Sequence, residues 1–363
     1  MKILAIVSGL DFRNHTRRST LAAIHKLNPE MDVLLFNSIR NYFAPKISEP
    51  DIKFYYYNFW VVEKLRKYRF LTTLERYLRG KIWRAFFEKY QYIFIIDPNQ
   101  NYLLPYLNNQ TKLIYLLRDP VILQNPLNYH SELQLIKRAN AILAISESLK
   151  SHYINKHYGF QPEKIFFWSN SVDLELWDHR KYQNIRNSSA PVAGMAGNIN
   201  QRTDLPLLKF LLNKFPGIQF EIAGKLNLNP LRMQLWEELL CFKNLRYLGY
   251  IPFANLPAVV SKWDIGLLLE SKDDEYSSYF NHNKIYQYMA LGKPFVSYDY
   301  NEYFNEFKNA AFIGKNPVEY AEMINLAMGK SKSPETVYDC LLFAQKNSTE
   351  KRAAQFLIIL KSL

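Results

Sequence analysis

Residues 279–302 read YFNHNKIYQYMALGKPFVSYDYNE. Two asparagines and a lysine open a helical pattern, Gly292-Lys293-Pro294 closes it, and a short apolar run from Phe295 follows. A helix that empties into a buried strand is one link of an alternating chain, and the same link recurs on both sides of it. In the first half the apolar runs are Ile3–Val7, Met31–Phe36, Tyr92–Ile96, Leu113–Leu117 and Ala141–Ile145. In the second half they are Val192–Ala196, Ile218–Ala223, Leu245–Leu248, Ile265–Leu269 and Phe295–Ser297. Continuous apolar runs of this length, separated by helical stretches such as Leu205–Lys214 and Asn255–Lys262, predict parallel strands buried on both faces.

A chain of 363 residues is long for one core, and it predicts two domains. The polar, aperiodic stretch WDHRKYQNIRNSSA from Trp177 marks the join. The expected layout is a first Rossmann-like domain over 1–172, a linker over 173–189 and a second domain over 190–345. A last helix, within 346–363, is free to pack with either. Two cysteines, Cys241 and Cys340, without a CxxC or a Cys/His cluster, argue against a disulfide scaffold or a zinc site and fit a reducing compartment. The opening MKILAIVSGL is too short for a secretory leader and reads as a strand. No run reaches the roughly 18 apolar residues of a membrane span.

The net charge of +13 is uneven, with 17 Lys/Arg against 8 Asp/Glu in residues 1–90. An anionic partner is expected there: nucleic acid, an anionic membrane or an acidic glycan, unless the charge serves solubility alone. Within Trp60–Tyr90, Val61, Leu65, Tyr68, Leu71, Leu74 and Leu78 fall at helical spacing among basic residues. That pattern suits either an interfacial helix or a core helix with a charged outer face. Nine of the 12 glycines lie between Gly194 and Gly329, so the second half is the expected nucleotide-binding half. It contains no G-x-G-x-x-G and no P-loop.

Four segments, in order, resemble the retaining GT-B glycosyltransferases of family 4 and their relatives in bacterial polysaccharide synthesis. They are ANAILAISESLKSHYINKHYGFQPEKIFFWSNSVDLELW (139–177), GMAGNINQRTDLPLL (194–208), NLRYLGYIPFANLPAVVSKWDIGLLLE (244–270) and the opening stretch. Asn140 stands where the family has Asp, Ser171 where it has Gly, and Gln287 where it has a ribose-binding Glu. The resemblance implies two doubly wound Rossmann-like domains facing a cleft, the GT-B arrangement. It implies transfer of a hexosyl group from a nucleotide-diphosphate sugar to a glycan or undecaprenyl-linked acceptor, with retention. It also implies a cytoplasmic protein, peripheral on the inner face of the plasma membrane. The sequence carries no metal motif, so no cofactor and no metal are expected, nor a nucleic-acid partner.

A diphosphate leaving group needs cations and free backbone N–H groups. Asn281 or Asn283 is suited to cap the helix, and Lys284 in its first turn opposes the helix dipole unless an anion lies between them; the alternative is a lysine reaching to solvent. By resemblance, Gly197, Asn198 and Arg202 form the phosphate loop. Asn198 replaces a companion arginine, so Lys284 or Lys225 must complete the clamp. Tyr250 lines the base pocket, and Glu270, Asn283 and Gln287 meet the rest of the donor. In the first domain Arg13, His15, Arg17 and Arg18 are candidates for an anionic acceptor or the donor phosphate, with Arg17 and Arg18 otherwise solvated helix residues. Asp119, at a strand end, is the catalytic candidate near the transferred sugar, or else a turn cap before Pro120. Two other readings are a nucleotide-sugar epimerase of the same fold and a basic nucleic-acid-binding protein, the latter with binding that falls steeply with salt.

Overall fold

Aliphatic strands organise the chain into two parallel sheets. The computed structural model describes residues 1–8, 18–37, 51–58, 69–182, 190–272, 275–300, 304, 307 and 309–363. They divide into two units, Met1–Ser169 with Thr349–Leu363, and Asn170–Ser348.

The first unit carries β1 (Ile3–Ser8), β2 (Met31–Asn37), β3 (Phe54–Asn58), β4 (Tyr92–Ile95), β5 (Lys112–Leu117), β6 (Ala141–Ala144) and β7 (Ile165–Phe167). Its longer helices are α1 (Arg18–Leu27), α2 (Arg69–Phe87) and α3 (Tyr129–Arg138). The strand order is β3-β2-β1-β4-β5-β6-β7, and all pairings are parallel. The inner strands are wholly buried, as their unbroken Ile/Leu/Val content requires.

The second unit carries β8 (Val192–Ala196), β9 (Gln219–Ala223), β10 (Leu245–Gly249), β11 (Ile265–Leu267), β12 (Phe295–Tyr298) and β13 (Ala311–Gly314), in the order β10-β9-β8-β11-β12-β13, again all parallel. Its longer helices are α4 (Leu205–Lys214), α5 (Pro230–Leu239), α6 (Asn283–Ala290), α7 (Pro317–Lys330) and α8 (Pro334–Lys346). Four of these begin on a side-chain cap. Asp204, Asn229, Asn316 and Ser333 each accept from backbone N–H groups of the first turn, and a proline opens or follows the start of each helix. The fifth, α6, begins differently and belongs to the site below.

Both sheets are doubly wound, and together they are the two Rossmann-like domains of the GT-B fold. Strand order reverses between β1 and β4 in one sheet and between β8 and β11 in the other. Residues 170–182, partly read as linker from sequence, are counted with the second unit. Val172 bridges Ser348, and the fully buried Trp177 packs on Phe253 at 5.9 Å. Residues 183–189 lie outside the described residues.

The last helix, α9 (Thr349–Lys361), belongs to the first unit. Phe356 is fully buried, with its ring 4.8 Å from Phe94 and 5.9 Å from Trp168. Trp168 Nε1 donates to the Arg352 carbonyl (3.1 Å), and Gln355 Nε2 donates to the Phe167 carbonyl (3.0 Å). Tyr92 Oη donates to the Leu360 carbonyl (3.1 Å).

Helix α2 turns aromatic side chains inward, with the Trp83 ring 4.7 Å from Tyr57, the Phe86 ring 4.7 Å from Tyr55 and Phe87 fully buried, and an ion pair lies beside them. Glu75 is 2% exposed, pairs with Arg79 at 2.8 Å and accepts from Tyr102 Oη at 3.3 Å, while the Arg79 guanidinium lies 4.4 Å over the Tyr57 ring. Leu74 and Leu78, expected on a single apolar face, are exposed. Val61, Leu65 and Tyr68 lie outside the described residues.

Candidate functional site

The site is built at the carboxyl ends of β8 and β11, where the second sheet reverses its order. Ligands of open α/β sheets bind at such a point. Strand β8 runs into Gly197, whose φ of +148° is rarely adopted by residues with a side chain. A Cβ there would stand 3.3 Å from Lys284 Nζ. Behind it, a Cβ on Gly224 would fall 1.8 Å from the Gly197 carbonyl oxygen, so this pair of glycines lets the ends of β8 and β9 close on each other. Backbone bonds hold the approach: Gly197 N–H to the Ala223 carbonyl (2.8 Å) and Ile199 N–H to the Lys225 carbonyl (2.9 Å).

Helix α6 brings its lysine to the same place. Residues one turn apart share a helix face. Tyr288, fully buried, accepts the Ala196 N–H through its hydroxyl (3.0 Å), which sets the helix against the end of β8. Lys284, four residues earlier, therefore lies beside Gly197. Its Nζ is 3.3 Å from Glu270 Oε1, and both side chains are 13% exposed. Burial pushes the Glu270 pKa up, but the charges of Lys284 and Arg202 outweigh it and hold the carboxyl below its ordinary value. It is an anion at neutral pH.

Arg202 arrives on the loop after β8. Its carbonyl accepts from Ser271 N–H (2.7 Å), and Thr203 pairs with Glu270 in an antiparallel bridge, so the loop is stitched to the end of β11. The guanidinium lies 3.7 Å from the centre of the Tyr276 ring, over its face. Lys225 and Tyr250 make a second pair on the β9 and β10 side, with Nζ 4.4 Å from the ring centre and both residues exposed. Gly224 N–H donates to the Gly249 carbonyl (2.8 Å) and fixes that edge next to Gly197.

The expected asparagine cap is absent. His282 occupies the cap position of α6, and no side chain among the described residues caps the helix. His282 was not foreseen as a site residue. Its ring is 91% buried and 4.4 Å from the Phe280 ring, and its Nε2 has no hydrogen-bond partner among the described residues. Burial pushes its pKa down to about 3, with Lys284 adding to the shift and Glu270 opposing it. Its only sequence signal was its place between Asn281 and Asn283, ahead of Lys284. Tyr276, the platform for Arg202, was likewise missed. Asn283 opens α6, and Gln287 lies one turn after Lys284, each half-buried. Asn198 follows Gly197 and is exposed.

Gly197, Asn198, Arg202, Lys225, Tyr250, Glu270, Asn283, Lys284 and Gln287 thus all lie at the carboxyl end of the second sheet or on the helix that abuts it. The remaining candidates belong to the first unit. Asp119 follows β5, and its carboxylate pairs with the Arg118 guanidinium at 3.1 Å. Its charge adds to the burial that raises the pKa of Glu132, a fully buried carboxylate that accepts from Tyr115 (2.7 Å), Tyr153 (2.8 Å) and Tyr158 (2.6 Å). Arg18 is the first residue of α1. Arg13, His15 and Arg17 lie outside the described residues.

No family model matches the chain, and no curated protein matches it. Solved structures do. Anabaena HepE in complex with UDP and glucose is similar, with a TM-score of 0.68 at 15% identity over 100% of both chains. Sucrose-phosphate synthase from Thermosynechococcus elongatus has a TM-score of 0.74 at 12% identity, over 99% of this chain and 98% of that one. A UDP-GlcNAc 2-epimerase from Neisseria meningitidis bound to UDP-GlcNAc reaches 0.63 at 13% identity over 100% of both. At these identities the likeness shows the fold.

Proposed function

We propose that the protein is a glycosyltransferase that takes a sugar from a nucleoside-diphosphate donor, with the diphosphate bound between Gly197, Arg202 and Lys284. The observation that carries this reading is the position of Lys284 Nζ, on an uncapped helix start and beside Gly197, whose added Cβ would stand 3.3 Å from it. A lysine in a first turn opposes the helix dipole. Glu270 answers the lysine's charge in the free protein, and a diphosphate at the helix start would compete for the ammonium while also meeting the exposed N–H groups. HepE and the Neisseria epimerase were solved with UDP or a UDP-sugar, so uridine is the base we expect.

In this reading Arg202 and Lys284 gather the charge that develops on the leaving diphosphate, which is where electrostatic stabilisation has most effect on rate. Lys225 and Tyr250 face the nucleoside. Glu270, Asn283 and Gln287 meet the ribose and the sugar through hydrogen bonds. Transfer of a hexosyl group with retention needs no pair of catalytic carboxylates from the protein, and Asp119 is proposed to orient the reacting sugar. The acceptor is a glycan or an undecaprenyl-linked glycan, met by the basic first unit of a protein working at the inner membrane surface.

Calorimetry with UDP, GDP and ADP, followed by product analysis with UDP-sugars, tests this. Uptake of a nucleoside diphosphate and transfer to added glycan are expected. Epimerised sugar with no transfer supports the epimerase reading, and no nucleotide uptake by folded protein ends both.

A further inference from the structure

The loop that carries Arg202 is held from several sides. It turns first on its own polar groups: Arg202 N–H donates to Asn200 Oδ1 (2.9 Å), and Asn200 N–H donates to Thr203 Oγ1 (3.0 Å). The segment after β11 grips it through Ser271 N–H on the Arg202 carbonyl and Asp204 N–H on the Leu269 carbonyl, each 2.7 Å. The loop after β9 adds Asn227 N–H on the Ile199 carbonyl (2.8 Å). The remaining hold is a side chain. Arg232, in the first turn of α5, donates through Nη2 to the Thr203 carbonyl, and Thr203 itself is buried.

We propose that Arg232 is a positioning residue for the donor diphosphate, acting through Arg202, a role that rests on the donor reading above. Stability alone does not account for this arginine. Its Nε is shielded from water and has no hydrogen-bond partner among the described residues, which costs free energy instead of supplying it. The Thr203 carbonyl already accepts Leu205 N–H (2.9 Å), so it does not need the guanidinium to be satisfied. What the bond does is fix the chain next to Arg202. The Arg202 carbonyl is gripped from β11 and the Thr203 carbonyl from α5, so consecutive peptide groups cannot turn freely. Helix α5 also leads off from the loop that carries Lys225, so Arg232 ties the phosphate side of the site to the nucleoside side. Without that tie the ligand has to order the Arg202 loop as it binds, and the ordering is subtracted from its affinity. Arg232 borders a cavity of about 480 Å³ with Asp204, Phe210 and Ser271, so a neutral side chain of similar length fits there without a clash.

A double-mutant cycle on the full chain, read by UDP calorimetry, tests this with Arg232→Met, Arg202→Ala and the two combined. Methionine keeps the apolar stem and removes the donors. Arg232→Met is expected to bind UDP about tenfold more weakly. It should unfold close to the wild-type temperature, because no acceptor is orphaned. Arg232→Lys, which returns a charged donor, is expected to recover most of the lost affinity. In the Arg202→Ala background, Arg232→Met should add about twofold or less, since the residue it positions is gone. Wild-type affinity in Arg232→Met, or a loss that persists in full when Arg202 is already alanine, overturns the proposal and leaves the donor reading standing. So does an Arg232→Met protein that unfolds far below wild type with a loss that Arg232→Lys does not recover, which is the mark of a structural role. Wild-type protein that takes up no UDP removes the donor reading and this role with it.

Discussion

Lys284 Nζ lies 3.3 Å from Glu270 Oε1 in a position where both side chains are almost hidden from water. Each group makes the other affordable in a partly buried place, and a diphosphate competes with Glu270 for the lysine. Lys284→Ala is expected to weaken nucleoside-diphosphate binding by about ten- to a hundredfold, as loss of a hydrogen bond to a charged group does. It should also cost about 1–3 kcal/mol of stability, because Glu270 keeps its burial without its cation. Adding Glu270→Gln should restore the stability but not the affinity. Urea unfolding and calorimetry on the two single variants and the double variant give both readouts. Equal affinity in wild type and Lys284→Ala would remove the lysine from the site.

The stability of the second unit should depend on pH through His282. Its pKa is depressed to about 3 in the folded protein, against roughly 6.5 when unfolded. Protons therefore go first to the unfolded chain, and stability is lost as pH falls below about 6.5, by up to ~1.4 kcal/mol per unit. Glu270 acts elsewhere. Its pKa is lowered, so its contribution is complete above the ordinary carboxylate value of about 4.3 and is lost only below it. Below about pH 6.5 the raised Glu132 of the first unit acts in the opposite sense, so His282's part is read as the difference between wild type and His282→Asn, which should lose less stability as the pH falls. An unchanged slope in urea midpoints below that pH would contradict the burial of a neutral imidazole.

Gly197→Ala places a side chain at φ +148° and 3.3 Å from Lys284 Nζ. A cost of about 1–3 kcal/mol is expected from the backbone alone. Nucleotide affinity should fall with it, since the lysine must move. Gly224→Ala meets backbone at 1.8 Å and should be the more destabilising of the two. Thermal unfolding ranks them, and the reverse order would count against the close approach of β8 and β9.

Arg202→Lys retains the charge and loses the planar fork that stacks on Tyr276. Nucleoside-diphosphate affinity is expected to drop by about tenfold, with stability near wild type. A variant that binds as tightly as wild type would show that a point charge suffices there.

Much of the fold was legible because the inner strands are unbroken apolar runs. The first-half runs from Ile3, Met31, Tyr92, Leu113 and Ala141 are β1, β2, β4, β5 and β6. The strands that escaped notice are β3, β7 and β13, each at a sheet edge. An edge strand need not be apolar throughout, and FYYYN at Phe54–Asn58 is half-buried at most of its positions, while β7 and β13, at 3 and 4 residues, are too short to stand out. In the site, Lys284, Arg202 and Gly197 could be marked because their types and order are chemical statements in themselves. His282 and Tyr276 could not. A histidine declares nothing about its burial, and Tyr276 matters only because the chain folds it under Arg202. The exposure of Leu74 and Leu78 on α2 was hidden for the same kind of reason: spacing groups residues on one helix face but does not say whether that face meets the core.

Helix α9 has a consequence for the order of events at the ribosome. The surface formed by Phe94, Trp168 and the Phe167 carbonyl receives its cover only after all of Asn170–Ser348 has been made. Until then the earlier half emerges with an open apolar seam, and the later half is complete before the earlier one is. A nascent chain released after Ser348 should consequently be a client for chaperones through its first unit, while its second unit resists protease.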